Sequence, residues 1–182
     1  AAVDTRKLPS VSIVAYTGGV MRVPGWGDVV VDLDGLDVSA SVAILSDHDS
    51  TRAGLVGHGR AEVQCGQLLV MGSISAASAA AKEITEAAKN GFPWEASVGV
   101  QVIEKRFVRA GETVFVNGKE VQAQAGGFIL VKRGRLREVS IVGIGCDGAT
   151  SVAIAASRKK GVNVDVEAKE KEEEQDIQAA ER

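Results

Sequence analysis

The chain has 182 residues, enough for one domain with a real core and, by length alone, too few to argue for two. Its net charge is −3; the sixteen residues 167–182 hold seven acids and three bases, −4 in all, so the remaining 166 stand at +1. That near-neutral body carries no basic stripe, which excludes a nucleic-acid binder, and 45% hydrophobic residues with only 4% aromatics, 21 glycines and many valines favours strands and turns over a helical bundle. No apolar run nears the roughly 18 residues of a membrane span, and no charged-then-apolar leader opens the sequence, so no membrane partner and an intracellular site of action are expected. Cys65 and Cys146 lack metal-ligand or disulfide-framework spacing and read as small buried hydrophobes.

In chain order, residues 11–16 read as a first strand closed by Gly18-Gly19, and residues 28–33 as a second after the Pro24-Gly25 turn. Residues 41–45 form a short apolar run that delivers the chain to Asp47-His48-Asp49. Strands are expected over 57–63 and 68–74, joined by a tight turn at Cys65-Gly66-Gln67. Residues 75–90 predict the main helix, with a serine N-cap, an alanine-rich interior, Ile84 on the apolar face, and Gly91 and Pro93 as the stop. In the strand that follows, Ala96, Val98 and Val100 alternate with Ser97, Gly99 and Gln101, so the first set is expected in the core and Ser97 on the other face, with Gly99 leaving room beside the hydroxyl.

Within residues 106–122, Asn117-Gly118 between strand formers predicts a hairpin. Two further strands are expected at 128–132 and 139–144, the second starting just after Glu138, and residues 151–155 read as strand as easily as helix. Seven to nine short strands with one helix imply an α+β, mainly β fold: an antiparallel β-barrel of about seven strands, or a sandwich. The pattern decays near Ala156. Residues 1–157 are therefore expected to be the domain, and residues 158–182 a linker and charged extension.

His48, Ser97 and Glu138 supply the three roles of a serine protease: an imidazole to take a proton, a hydroxyl to attack a carbonyl, and a carboxylate to orient the imidazole. Residue types alone equally permit a histidine bonding a turn, a strand-face serine and a surface glutamate. Two other patterns are set aside. Gly143-Ile144-Gly145-Cys146-Asp147-Gly148 fits the dinucleotide fingerprint, yet only 34 residues follow it, too few for the rest of such a sheet. Asp47, His48 and Asp49 with His58 and Cys65 match no common zinc spacing, and no metal or other cofactor is expected.

The blocks Ala15-Tyr16-Thr17-Gly18-Gly19, Val30-Val31-Asp32-Leu33-Asp34-Gly35-Leu36, Asp47-His48-Asp49, Ala96-Ser97-Val98-Gly99 and Leu136-Arg137-Glu138-Val139-Ser140-Ile141-Val142 resemble the tailed-phage prohead maturation proteases, relatives of the herpesvirus capsid-assembly protease. The resemblance extends over roughly residues 11–156, with 49 residues from histidine to serine and 41 from serine to glutamate. It implies an assemblin-like barrel with His48 as general base, Ser97 as nucleophile and Glu138 as third member. The herpesvirus relatives use a second histidine there, but His58 precedes the serine and reads as structural. Their oxyanion region uses an arginine-bearing loop; Arg133, Arg135 and Arg137 crowd the approach to Glu138, with Arg137 nearest, and the alternative is that all three are ordinary exposed charges. The resemblance further implies an endopeptidase acting through an acyl-enzyme on scaffold protein, major capsid protein and itself, inside a viral procapsid in the host cytoplasm. Self-association is the other partner expectation, and the acidic tail would begin a scaffold region or be its remnant. The rival reading is a non-catalytic scaffold- or capsid-binding module; a hydrolase acting on other substrates is a third.

Overall fold

Valines and isoleucines spaced two apart set an apolar face along most of the strands, and the computed structural model, which describes residues 8–155, buries that face inside a single curled sheet. Among the described residues the elements are β1 (Ser10–Tyr16), β2 (Met21–Val23), β3 (Gly27–Val31), β4 (Leu36–Asp37), β5 (Val42–Ser46), β6 (Leu55–Gln64), β7 (Gln67–Ser73), α1 (Ala79–Lys89), β8 (Glu95–Val108), β9 (Thr113–Val116), β10 (Lys119–Gln122), β11 (Phe128–Val142) and β12 (Ser151–Ala155). The described residues are mainly β with one short helix. The extension expected over 158–182 lies outside the described residues.

Ten strands form one sheet, in the order β12-β1-β7-β6-β5-β11-β3-β2, with β4 and β8 also on β11. The antiparallel expectation needs correction. One edge of β11 pairs antiparallel with β8 along its whole length, while the other pairs parallel with β3, β4 and β5 in succession. At 15 residues, β11 is long enough to carry three short strands end to end, and alternation reports which face is buried, not which way a neighbour runs. The two strands expected at 128–132 and 139–144 are this one strand. The charges that split the apolar runs, Arg133, Arg135 and Arg137, simply point outward between buried Gly134 and Leu136. The sheet curls into a half-barrel, and Val152 N–H donates to Trp94 O at 3.1 Å where β12 approaches the start of β8.

Residue 151 onward takes the strand alternative, as β12. The helix starts later than expected: Ser78, not Ser75, is the N-cap, accepting from Ala81 N–H at 3.0 Å. Ile84 is buried and Gly91 takes a left-handed φ of 83° at the exit, as the stop signal requires. Both two-residue turns form with positive φ at each central residue, Cys65-Gly66 (51°, 71°) and Asn117-Gly118 (54°, 77°), the type I′ pattern of tight hairpins. Cys65 is consequently an exposed turn residue and not a buried one, while Cys146 is half-buried against the core. The β9-β10 hairpin forms a separate two-stranded sheet over a small cluster that includes Val30, Val108, Val116 and Phe128. Asn117 binds it to the main sheet: its Oδ1 accepts from Leu33 N–H at 2.8 Å, and its Nδ2 donates to Val31 O at 2.8 Å and Gly18 O at 3.0 Å.

Candidate active site

The register of the sheet brings β5, β8 and β11 side by side. Ser97 on β8 lies opposite Ser140 on β11, and Glu138 lies opposite both Gly99 of β8 and Ala43 of β5. Just past the end of β5 the chain turns sharply through Asp47 and His48, both left-handed at φ 49° and 60°. A histidine in that region costs about 1–2 kcal/mol, so it persists only where other contacts hold it. Here they come from β11: Asp47 N–H donates to Ile141 O at 3.3 Å, and His48 N–H donates to Ser140 Oγ at 3.0 Å.

So placed, the His48 imidazole lies between the other two side chains. Its Nδ1 is 2.8 Å from Glu138 Oε1 and its Nε2 is 2.9 Å from Ser97 Oγ. A carboxylate facing Nδ1 favours the tautomer with the proton there, which leaves the Nε2 lone pair free to accept from the serine hydroxyl. The structure thus brings together His48, Ser97 and Glu138, from positions 49 and 41 residues apart. The glutamate side chain is only 14% exposed and the histidine 48%, so the orienting group is sheltered while the proton-accepting group opens to solvent. The arrangement can polarise the Ser97 hydroxyl for attack on an electrophilic carbon.

Two supports were not assigned in the sequence. Ser140, fully buried, donates from Oγ to Glu138 Oε2 at 2.6 Å while accepting from His48 N–H. One hydroxyl therefore fixes both the carboxylate's rotation and the backbone that carries the imidazole. Its signal was a serine two residues after the glutamate, on the same strand face. Thr150 Oγ1 accepts from Ala96 N–H at 2.9 Å and donates to Ala96 O at 3.2 Å, clamping the residue before Ser97. Gly99 has a different role from the expected one: an added Cβ would lie 2.2 Å from Glu138 Oε1, so the missing side chain makes space for the carboxylate.

The remaining expected residues separate. Arg137 is exposed, occupies a bulge in the pairing of β11 with β8, and does not line the cavity at Ser97. Its sequence proximity to Glu138 does not aim it at the serine, because neighbours on a strand diverge. Arg135 pairs with Asp37 instead. His58 bonds Ser75 Oγ at 2.8 Å through Nδ1, on β6, in a separate local contact. Asp47 Oδ2 accepts from Ser46 Oγ at 2.8 Å, and Asp49 Oδ1 accepts from Thr51 N–H at 2.8 Å, so both are turn formers. The bonds from Thr51, its side chain first and then its N–H, hold the Asp49 carboxyl below the usual range. Among the described residues no group of three or more His, Cys, Asp or Glu is placed to hold a metal.

Residues 143–148 open no helix. They form a loop over the site, tied down by Gly145 N–H to Glu95 Oε2 at 2.7 Å, by Thr17 N–H and Oγ1 to Asp147 Oδ2, each at 2.7 Å, and by Arg22 N–H to Cys146 O at 3.2 Å. Beneath it a cavity of about 540 Å³ opens onto His48 and Ser97, walled by Met21, Val23, Val142 and Ile144. No helix among the described residues is long and apolar enough to cross a membrane. Comparison of the chain with protein-family models, with curated proteins and with solved structures gives no match.

Proposed function

We propose that the chain is a serine endopeptidase of the prohead-maturation type, acting through an acyl-enzyme. The observation that carries this reading is the unbroken hydrogen-bonded series Ser97 Oγ, His48 Nε2, His48 Nδ1 and Glu138 Oε1, at 2.9 and 2.8 Å, beside an open cavity. Ser97 Oγ attacks the peptide carbonyl as its proton passes to His48 Nε2. The imidazolium, steadied by Glu138, gives that proton to the departing amine. Water, activated by the same imidazole, then attacks the acyl ester and releases Ser97.

The substrate class follows from the sequence blocks that resemble the prohead proteases: scaffold protein, a segment of the major capsid protein, and the chain itself, within a procapsid. The finer architecture belongs to the same reading, a herpesvirus-type barrel in which seven strands, β12-β1-β7-β6-β5-β11-β8, run around the curl. A fluorophosphonate probe tests the enzyme directly, since it reacts with an activated serine. Labelling of the intact chain, abolished by Ser97→Ala together with self-processing, is the expected result. If the intact chain resists the probe and Ser97→Ala leaves processing unchanged, the chain is a docking module.

A further inference from the structure

Asparagine followed by glycine occurs twice in the chain, at Asn90-Gly91 and at Asn117-Gly118. The pair is chemically labile, because glycine has no side chain to keep its backbone nitrogen away from the preceding carboxamide carbon. Asn90 is exposed at the exit of α1, where Gly91 N–H donates to Ala88 O at 3.0 Å in a helix end that frays readily. Asn117 is held far more closely, by all three of its carboxamide bonds to Leu33, Val31 and Gly18. The turn is also seated against its neighbours: a methyl added at Gly66 would collide with Asn117 O, and one at Gly18 would lie 3.0 Å from Asn117 Cβ. Lys119 Nζ, just past the turn, donates to Thr17 O at 2.9 Å. Gly118 itself is exposed, with nothing within 4 Å of where a Cβ would stand, so water reaches the tip of the turn.

We propose that Asn117-Gly118 is a deamidation site that docking of the β9-β10 hairpin keeps shut, whatever the chain catalyses. In the reaction Gly118 N bonds to Asn117 Cγ, and Nδ2 leaves as ammonia with the proton of the Gly118 amide. Water then opens the succinimide at either carbonyl, leaving an aspartyl or an isoaspartyl link; one water is consumed and one ammonia released. Ring closure needs the carboxamide to swing onto Gly118 N, which withdraws it from Leu33, Val31 and Gly18 at once. The step therefore runs only while the hairpin is lifted. Its product does not dock again. A carboxylate only accepts, so Val31 O and Gly18 O lose their donor and face a negative charge, while an isoaspartyl link lengthens the two-residue turn by one backbone carbon. A hairpin that stays lifted is thereby marked and left off the cluster of Val30, Val108, Val116 and Phe128.

Peptide mass spectrometry of the full chain, incubated in mildly alkaline buffer with and without denaturant, tests this, with Asn90 as the internal reference. In the folded chain Asn90 should deamidate at least about tenfold faster than Asn117, since three hydrogen bonds each hold the carboxamide back by about two- to tenfold. In denaturant the two rates should converge. Val121→Ala hollows the cluster under the hairpin; it should speed deamidation at Asn117 by about tenfold and leave Asn90 unchanged. Hydrogen exchange at Leu33 N–H, which donates to Asn117 Oδ1, should quicken by the same factor. Lys119→Ala, a milder loss at the exposed Thr17 contact, gives the same comparison should Val121→Ala fail to fold. Asn117→Asp should show fast Leu33 exchange without any incubation. Equal rates at the two sites in the folded chain, or Leu33 exchange that quickens while Asn117 does not, overturns the gate. Wild-type protection of Leu33 in Asn117→Asp overturns its one-way character.

Discussion

Gly99→Ala is the smallest change that should disable the site without disturbing the fold. Gly99 does not need a positive φ, and alanine is at no disadvantage to glycine in a strand, so the backbone accepts the substitution. The new methyl carbon would sit 2.2 Å from Glu138 Oε1 and 3.0 Å from its Cδ and Cγ, where ordinary contact begins at 3.4 Å. The carboxylate must move by about 1 Å, and whichever way it moves the 2.8 Å contact to His48 Nδ1 is compressed or broken. A misplacement of about that size costs on the order of 10²-fold in rate, and complete loss of an orienting carboxylate costs about 10⁴-fold. Gly99→Ala should therefore slow fluorophosphonate labelling by about 10²–10⁴-fold, or roughly 3–5 kcal/mol of barrier, with the melting temperature nearly unchanged. Because the methyl acts through Glu138, Gly99→Ala combined with Glu138→Ala should be no slower than Glu138→Ala alone. Wild-type labelling by a folded Gly99→Ala chain, or additive penalties in the double variant, would show that the methyl does not act through the Glu138–His48 contact.

Ser140→Ala removes the donor to Glu138 and leaves His48 N–H without its acceptor; denaturant titration should show a loss of about 1–3 kcal/mol, with labelling slowed by about tenfold or more. Asn117→Ala deletes three hydrogen bonds and places alanine at a left-handed turn position, so an unfolding titration should lose about 2–4 kcal/mol while the phosphonate rate at Ser97 holds. Tyr16 is the single tyrosine, and burial, ahead of the nearby Asp147 charge, pushes its phenol well above the ordinary value near 10, against a lowering by the Val31 N–H bond. The unfolded chain releases that proton first, so its stabilising contribution is intact below about pH 10 and is lost as pH rises beyond it. Near-ultraviolet phenolate absorbance should therefore appear together with alkaline unfolding, and phenolate forming in the folded chain near pH 10 would contradict the burial.

The site was more legible in the sequence than the sheet that carries it. Ser97 and Ala96 sit on the faces that simple alternation assigns, and Asn117-Gly118 forms its turn because the backbone there admits little else. Pairing direction left no such mark: nothing local distinguishes a β5 parallel to β11 from an antiparallel one. Arg133, Arg135 and Arg137 hid the continuity of β11, since a strand with one face in solvent carries charge at alternate positions. Cys65 was misread because a composition rule about cysteine burial gave way to turn geometry. Ser140 went unassigned because its importance lies in two hydrogen bonds to partners 2 and 92 residues away.

The parallel pairing of β5 with β11 also has a kinetic side. His48 reaches Glu138 and Ser140 only after residues about 90 apart in sequence have registered against one another, and contacts of such separation close slowly because the intervening chain must first surrender its freedom. Serine and glutamate meet earlier in sequence terms, across the β8-β11 pair. A chain in which only the β8-β11 pair has formed would hold a hydroxyl and a carboxylate with no base between them. If the chain is the protease proposed above, hydrolytic competence would be among the last properties acquired, a delay that would spare the chain and its neighbours from premature cutting.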